Sequence, residues 1–246
     1  MQEYWETYMK PVDGYPATLS FNVEIADGSL VQDHIYMGYV KLYLQHPDEQ
    51  GLLSAEEQEE VAFIEDLIEM EALRYRVGKY VGRITSNGAV TFIYYLKLNF
   101  EWEDAVKSAM NKIEHYQYEF GSREDMQWDV YNKLLYPTAK EWQMIHNRFT
   151  CKMLQQAGDS LSIKRAIEHK SYFSDPQNRE KYKQYLLQEG FSIQNEFNHE
   201  SYYGLQFYRF DIPDVHNMDR LTFFLIDSSN EYKGEYDGWE SSVVQN

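Results

Sequence analysis

Residues that commonly catalyse reactions or bind metals are scattered along this sequence of 246 residues. It contains no H-E-x-x-H pair, no C-x-x-C pair and neither of the glycine-rich loops that hold phosphates. No two histidines lie three or four residues apart, the spacing that brings side chains together on a helix. We therefore expect no catalytic residue, no cofactor and no metal site that a local motif would identify. The histidines are His34, His46, His115, His146, His169, His199 and His216.

The single cysteine, Cys151, lies close in sequence to His146 and Asn147, a grouping found around some nucleophiles. Residues five apart are poorly placed to meet on a helix, and catalytic cysteine–histidine pairs usually come from distant segments. We expect a buried, unreactive cysteine. His169 shares a predicted strand face with Ile167, which favours a histidine in the core or at a sheet edge over a catalytic one.

The least ordinary short run is Gly-Glu-Tyr-Asp-Gly-Trp-Glu, residues 234–240. Its two glycines permit a tight turn, and Tyr236 and Trp239 are large amphipathic side chains of the kind that anchor protein interfaces. We take Glu235, Tyr236, Asp237 and Trp239 as the candidate partner-binding residues. The alternative is that the segment folds back, with the Trp239 indole filling a groove beside the last helix and its N–H reaching a backbone carbonyl.

Charge restricts the class of partner. The 40 acidic and 23 basic residues leave a net charge of −17, with 24 acids and 11 bases in residues 1–137. Such a surface repels nucleic acid and anionic membranes, whereas it attracts a basic protein. The alternative is that the charge only confers solubility. We expect a basic protein partner, without direct nucleic-acid or membrane binding.

Cellular location is predicted from three features. One cysteine cannot form an intramolecular disulfide, which fits a reducing compartment. Residues 1–6 lack the basic and apolar regions of a signal peptide, and no stretch approaches the ~18–20 apolar residues of a membrane span. We expect a cytoplasmic protein.

The spacing of apolar residues predicts an α+β protein of two domains, 1–137 and 138–246. In the first, strands precede a helix with a capping box at Ser54 and Glu57, and a hairpin then turns at Asn87-Gly88. A mixed or antiparallel sheet with helices on one face follows from this order. The predicted segments are strands over Ala17–Ile25, His34–Leu44, Lys79–Thr85 and Ala89–Leu98, a helix over Glu101–Ile113, and extended chain over Tyr116–Phe120 and Met126–Tyr131.

The second domain is predicted to have the order α-β-α-β-β-α, most of a ferredoxin-like unit. Its first helix begins with a capping box at Thr138 and Glu141 and carries an apolar stripe of Trp142, Ile145, Phe149 and Met153. A final strand over Trp239–Val244 would complete the unit. The other predicted segments are strands over Ile163–Phe173, Phe191–Phe197 and Tyr203–Ile212, a helix from Asp175-Pro176 to Gly190, and a last helix capped by Asp214 or Asn217.

Residues 138–246 resemble the RraB family, the regulators of ribonuclease activity B. The resemblance rests on the run at 234–240, on Leu-Gln-Gln-Ala-Gly-Asp at 154–159 and on the strand that follows. It implies a ferredoxin-like, cofactor-free protein that binds and inhibits ribonuclease E. Residues 1–137 resemble a bacterial domain of unknown function through Trp-Glu-Thr-Tyr at 5–8 and Leu-Tyr-Pro-Thr at 135–138, among other runs.

Three functions stay open at this point. The first is a non-catalytic regulator that binds a basic partner, such as an RNA-processing enzyme. The second is an immunity or antitoxin-like protein that neutralises a basic toxin. The third is a hydrolase that uses carboxylates or a histidine in a cleft between the two domains.

Overall fold

The computed structural model describes residues 4–27 and 33–245, and the chain forms two compact units, 1–137 and 138–246. Each unit contains one antiparallel sheet, which confirms the α+β class. The N-terminal sheet has six strands in the order β1-β2-β4-β5-β3-β6. These strands are β1 (Trp5–Val12), β2 (Tyr15–Asn22), β3 (Tyr36–Tyr43), β4 (Gly78–Ser86), β5 (Ala89–Leu96) and β6 (Tyr118–Glu124).

Two tight hairpins connect neighbouring strands of this sheet. Asp13-Gly14 joins β1 to β2 and Asn87-Gly88 joins β4 to β5, and all four residues have positive φ. Such turns match the twist of the strands that they connect. The predicted strand over Ala17–Ile25 is too long, because β2 ends at Asn22 and Val23–Asp27 form a 3-10 helix.

Two helices, α1 (Gln58–Tyr75) and α2 (Trp102–Met110), pack against one face of the sheet. The predicted capping box at Ser54 is wrong, since the helix begins four residues later and Glu57 makes no side-chain cap. The buried Glu57 carboxylate instead accepts the backbone N–H groups of Gln45 and His46, at 2.8 and 3.0 Å. It therefore accepts hydrogen bonds from the backbone after β3 and does not cap the end of a helix.

The opposite face of the sheet is covered at one end by a π-helix, Val130–Leu135. Extended chain over Met126–Tyr131 was predicted, and this is wrong: the segment begins with a turn at Met126 and Gln127 and ends in the π-helix, and no part of it is a strand. Trp128 stacks on Tyr95 with the ring centroids 3.8 Å apart, and the Tyr131 hydroxyl donates to a backbone oxygen of the sheet. Aromatic packing and this hydrogen bond favour the π-helix over an added strand.

The C-terminal unit has a four-stranded sheet in the order β10-β7-β9-β8, with two helices on one face. Helices follow the first and third of these strands in chain order, which gives the βαββαβ arrangement of the ferredoxin-like fold and confirms that prediction. Its elements are α3 (Ala139–Gln156), β7 (Arg165–Phe173), α4 (Pro176–Gln188), β8 (Ser192–Asn198), β9 (Tyr203–Asp211), α5 (Val215–Glu231) and β10 (Gly234–Glu240).

Helix α3 begins at the predicted capping box, in which Thr138 and Glu141 satisfy each other's backbone N–H groups. Its predicted apolar stripe is partly wrong, because Phe149 and Met153 are exposed. The helix instead turns a line of side chains at intervals of three and four residues toward the unit's interior. Those side chains are Gln143, Asn147, Cys151 and Leu154.

Candidate partner-binding edge of the C-terminal sheet

The run at 234–240 is itself the last strand, β10, at the edge of the C-terminal sheet. A final strand over Trp239–Val244 was predicted, but the strand lies about five residues earlier in the chain. It pairs antiparallel with β7, with Tyr236 opposite Ser171 and Trp239 opposite His169. Because two residues of β10, Asp237 and Gly238, lie opposite one residue of β7 between these pairs, a β-bulge forms, and Gly238 adopts φ of 98° there. The bulge brings both aromatic side chains to the helix-covered face.

Tyr236 therefore lies inside the unit and not at its surface. Its hydroxyl is 2.9 Å from Nδ1 of His169, which is buried against Phe207 and Phe191. Burial, followed by the charge of Arg209, lowers the pKa of His169 to about 3, and burial raises the pKa of Tyr236. Both groups are neutral at physiological pH, so this pair is suited to holding β10 on β7 rather than to moving protons.

Trp239 closes a buried polar network that joins β10 to α3 and α5. Its indole N–H donates to Oδ1 of Asn147 at 2.7 Å. Asn147 is fully buried, and its amide donates to Asp219 and Thr222 on α5 at 2.8 and 3.0 Å. The indole acceptor is thus a side-chain amide on α3 and not the backbone carbonyl that was predicted. Burial raises the pKa of Asp219, against the effect of its hydrogen bond from Asn147.

The acidic members of the run, Glu235 and Asp237, are exposed and point to the other side of the strand. Glu168 and Glu240 are paired across β7 and β10 on that same side, and Lys170 lies among the acids and pairs with Glu240 at 3.1 Å. A small cleft of about 200 Å³ runs between Glu168, Lys170, Asp237 and Glu240, and Trp239 also borders it. The four candidate residues are therefore divided, with two aromatic side chains inside and two carboxylates outside.

Aromatic side chains extend this outer side across the sheet, on the face opposite the helices. We call this surface, with the four carboxylates just described, the open face. Tyr172 is in contact with Phe197 and Tyr202, and Phe210 is 56% exposed beside Tyr208. The prediction missed this surface, although β9 signalled it, because Phe207 and Tyr208 are aromatic at consecutive positions that must face opposite ways.

A second feature that the sequence prediction missed fixes the chain after β10. The buried carboxylate of Asp159 accepts the backbone N–H of Val244 and of Leu161, both at 2.8 Å, and forms an ion pair with Arg165 at 2.6 Å. Burial raises the pKa of Asp159, but these hydrogen bonds and the guanidinium outweigh it and hold the pKa below its usual value. The tail is thus bound to the loop before β7.

Cys151 is buried as predicted, and its thiol donates to the backbone oxygen of Pro213. Burial and then the charges of Asp219 and Asp214 raise its pKa to about 11, so it is a thiol at neutral pH. Within residues 4–27 and 33–245, no group of three or more His, Cys, Asp or Glu side chains could hold a metal ion. None of the helices described there has the length and apolar character to cross a bilayer.

Comparison with known proteins divides the chain at the same place. Residues 3–136, more than half of the chain, match the family model described as Family of unknown function (DUF695), and residues 144–241 match Regulator of ribonuclease activity B. Neither is a known catalytic family. No protein of curated function matches the chain.

Two of the similar solved structures are of proteins without an assigned function. One is an unknown protein from Galdieria sulphuraria, with 11% identity over 85% of this chain and 99% of that chain and a TM-score of 0.23. The other is a hypothetical protein, with 13% identity over 97% of this chain and 95% of that chain and a TM-score of 0.23.

Proposed function

Because this chain belongs to the family of unknown function DUF695 and continues into a domain of the family Regulator of ribonuclease activity B, we propose that it is a non-catalytic regulator of a ribonuclease. The observation that carries the proposal is the family match over residues 144–241. The regulator acts by binding protein, inhibits or modulates an enzyme such as ribonuclease E, and needs no cofactor. It works in the cytoplasm, where such an enzyme meets its RNA.

The open face is the surface that we assign to the partner. The edge carries Glu168, Glu235, Asp237 and Glu240, and the aromatic side chains continue from it across the sheet. An arginine side chain can pair with a carboxylate and stack on an aromatic ring at the same time. A basic, arginine-containing segment of the enzyme therefore fits this surface better than RNA does, since phosphates would be repelled.

The net charge of −17 contributes to the encounter more than to the bound complex. Opposite net charges accelerate association, and the acceleration weakens as salt screens charges beyond ~8 Å at physiological ionic strength. Affinity for the ribonuclease should therefore fall as salt rises.

The test measures binding and RNA cleavage together. Purified ribonuclease E is mixed with the full chain at low and high salt, binding is followed by biolayer interferometry, and cleavage is followed with a fluorogenic RNA. We expect binding at low salt together with a changed cleavage rate. Failure of the parent chain to bind or to alter cleavage at either salt refutes the proposed function.

A pair of charge variants locates the surface. Glu235→Lys/Asp237→Lys reverses two charges on the open face, and Glu56→Lys/Glu59→Lys makes the same change at exposed positions before and within the first turn of α1. We expect the first variant to bind at least roughly tenfold more weakly and the second to change little, since long-range charge effects are screened. Equal losses in both would show that only total charge matters and would remove the open face from the proposal.

A further inference from the structure

The N-terminal unit contains a cleft that the proposed function does not use. It lies on the sheet face opposite α1 and α2, where the π-helix at Val130–Leu135 covers one end of the sheet and leaves the rest open. The volume is about 520 Å³, within the ~300–1,000 Å³ of typical small-molecule sites. Its floor is mostly apolar, formed by Met37, Ile84, Thr91 and Ile93.

Two cations, Lys41 and Arg123, stand along one wall of the cleft. In the β3–β6 pairing, Arg123 is opposite Met37, four residues from Lys41, so the two positions are separated by ~13 Å along the strand. The ring of Tyr39 lies between them and across Gly121, where a Cβ atom would be 2.9 Å from the ring. The wall thus presents a cation, an aromatic ring with its hydroxyl, and a second cation.

Among the described residues, neither cation forms an ion pair within 4.0 Å, although the charge of Arg123 is one of the causes that lower the pKa of Asp125. The Lys41 ammonium lies 5.0 Å from the ring of Tyr43, whose hydroxyl donates to Glu119 at 2.6 Å. Glu119 is opposite Lys41 in the strand pairing but is engaged by this hydrogen bond, and Asp13 is the carboxylate on the cleft lining. The lining is therefore net positive, in a domain whose residues 1–137 carry 24 acids and 11 bases.

We propose that this cleft binds a small organic anion with a flat apolar body. The apolar floor would take the body of the ligand, because apolar area removed from water contributes roughly 25 cal/mol per Å². Lys41 or Arg123 would hold the anionic group, and the Tyr39 hydroxyl would donate to it. A cationic ligand is not favoured, because the lining of this cleft carries positive charge. The acidic residues elsewhere in the domain could hold a cation without an apolar pocket.

Two fluorescent probes test the site on the full-length chain. The first, 8-anilinonaphthalene-1-sulfonate, has both the apolar body and the anionic group. The second, N-phenyl-1-naphthylamine, has the same body without the sulfonate. Titrations give the dissociation constant of each probe for the parent chain, for Lys41→Glu/Arg123→Glu and for Thr91→Trp, which places an indole on the cleft floor.

The matched control is Lys152→Glu/Lys181→Glu, the same charge change at exposed positions of the C-terminal unit. We expect the cleft charge variant to bind the sulfonate probe at least roughly tenfold more weakly and the neutral probe about equally, with the control unchanged. Thr91→Trp should abolish binding of both probes. Circular dichroism and thermal melting confirm that each variant is folded.

Binding of the sulfonate probe that is equally strong in the parent and in Thr91→Trp would overturn the proposal, because the probe would then be bound elsewhere. Equal weakening by the cleft and control charge variants would overturn the role of Lys41 and Arg123. Absence of sulfonate binding to the parent chain would overturn the site altogether. None of these results depends on ribonuclease binding, so this inference and the proposed function fail separately.

Discussion

Replacing Trp239 by alanine should destabilise the C-terminal unit far more than it weakens partner binding. Replacing a fully buried Phe or Trp by alanine lowers the free energy of unfolding by ~3–5 kcal/mol. Trp239 is partly buried against the core and against the cluster around Cys151, and it donates the hydrogen bond to Asn147. The expected loss is therefore ~2–4 kcal/mol in the free energy of unfolding, a large part of a domain's ~5–15 kcal/mol.

Trp239→Phe separates packing from the hydrogen bond. It keeps most of the aromatic area and removes the N–H donor, while Gln143 still donates to the same oxygen of Asn147 at 2.9 Å. Because that buried acceptor keeps one partner, we expect a loss of only ~1 kcal/mol. Glu235→Ala on the exposed side of the same strand is the control and should unfold like the parent.

The assay is urea unfolding of the full chain followed by circular dichroism, with ribonuclease binding measured on each variant under conditions where it is folded. A loss of ~2–4 kcal/mol at an unchanged slope of free energy against urea would mean that stability alone has changed. A Trp239→Ala variant that unfolds at the parent's urea midpoint but no longer binds would refute the reasoning and would make the indole a binding anchor.

Three further predictions follow from single contacts. Gly234→Val should lower stability by ~1–3 kcal/mol in the same assay, because a Cβ there would be 2.2 Å from the buried Phe173 ring, whereas an unchanged midpoint would show that the ring can move. Asp159 has a lowered pKa, so its contribution to stability is present above the unfolded carboxyl pKa of ~3.9 and is lost as the pH falls through the lower folded value. The difference in unfolding free energy between the parent and Asp159→Asn should therefore be constant from pH 7 to 5 and shrink below about pH 4. A difference that stays constant down to about pH 2 would contradict this. Cys151, with a pKa of about 11, should react with Ellman's reagent at pH 8 only after urea unfolding, and rapid reaction of the folded chain would contradict its burial.

Local patterns predicted the secondary structure best where one residue type determines the backbone. Asn87-Gly88 and Asp175-Pro176 were sufficient for a hairpin and a helix start, because glycine adopts the positive φ of the turn without strain and proline fixes φ near the helical value. The box at Ser54 and Glu57 has the same spacing as the true one at Thr138, yet Glu57 is used by the chain after β3. Tertiary hydrogen bonds decided between two identical signals, and sequence spacing does not contain them.

The sequence identified the residues of the candidate site, but it did not show which of them lie inside the domain and which face water. Alternation with a period of two would place Tyr236 and Trp239, three residues apart, on opposite faces, and only the bulge at Gly238 puts them together. The predicted apolar stripe on α3 was partly wrong for a related reason. Asn147 is polar, and it is buried because Trp239 and Thr222, which are distant in sequence, supply its hydrogen bonds.

This division of the run at 234–240 constrains how a partner can bind. A ligand that needed Tyr236 or the buried part of Trp239 would have to detach β10 from β7, breaking the strand pairing and the contacts with His169 and Asn147. A ligand that uses Glu235 and Asp237 leaves those contacts intact, because the carboxylates already face water. The second route costs no unfolding, so association through the open face can be fast, and its affinity should be sensitive to salt rather than to the stability of the domain.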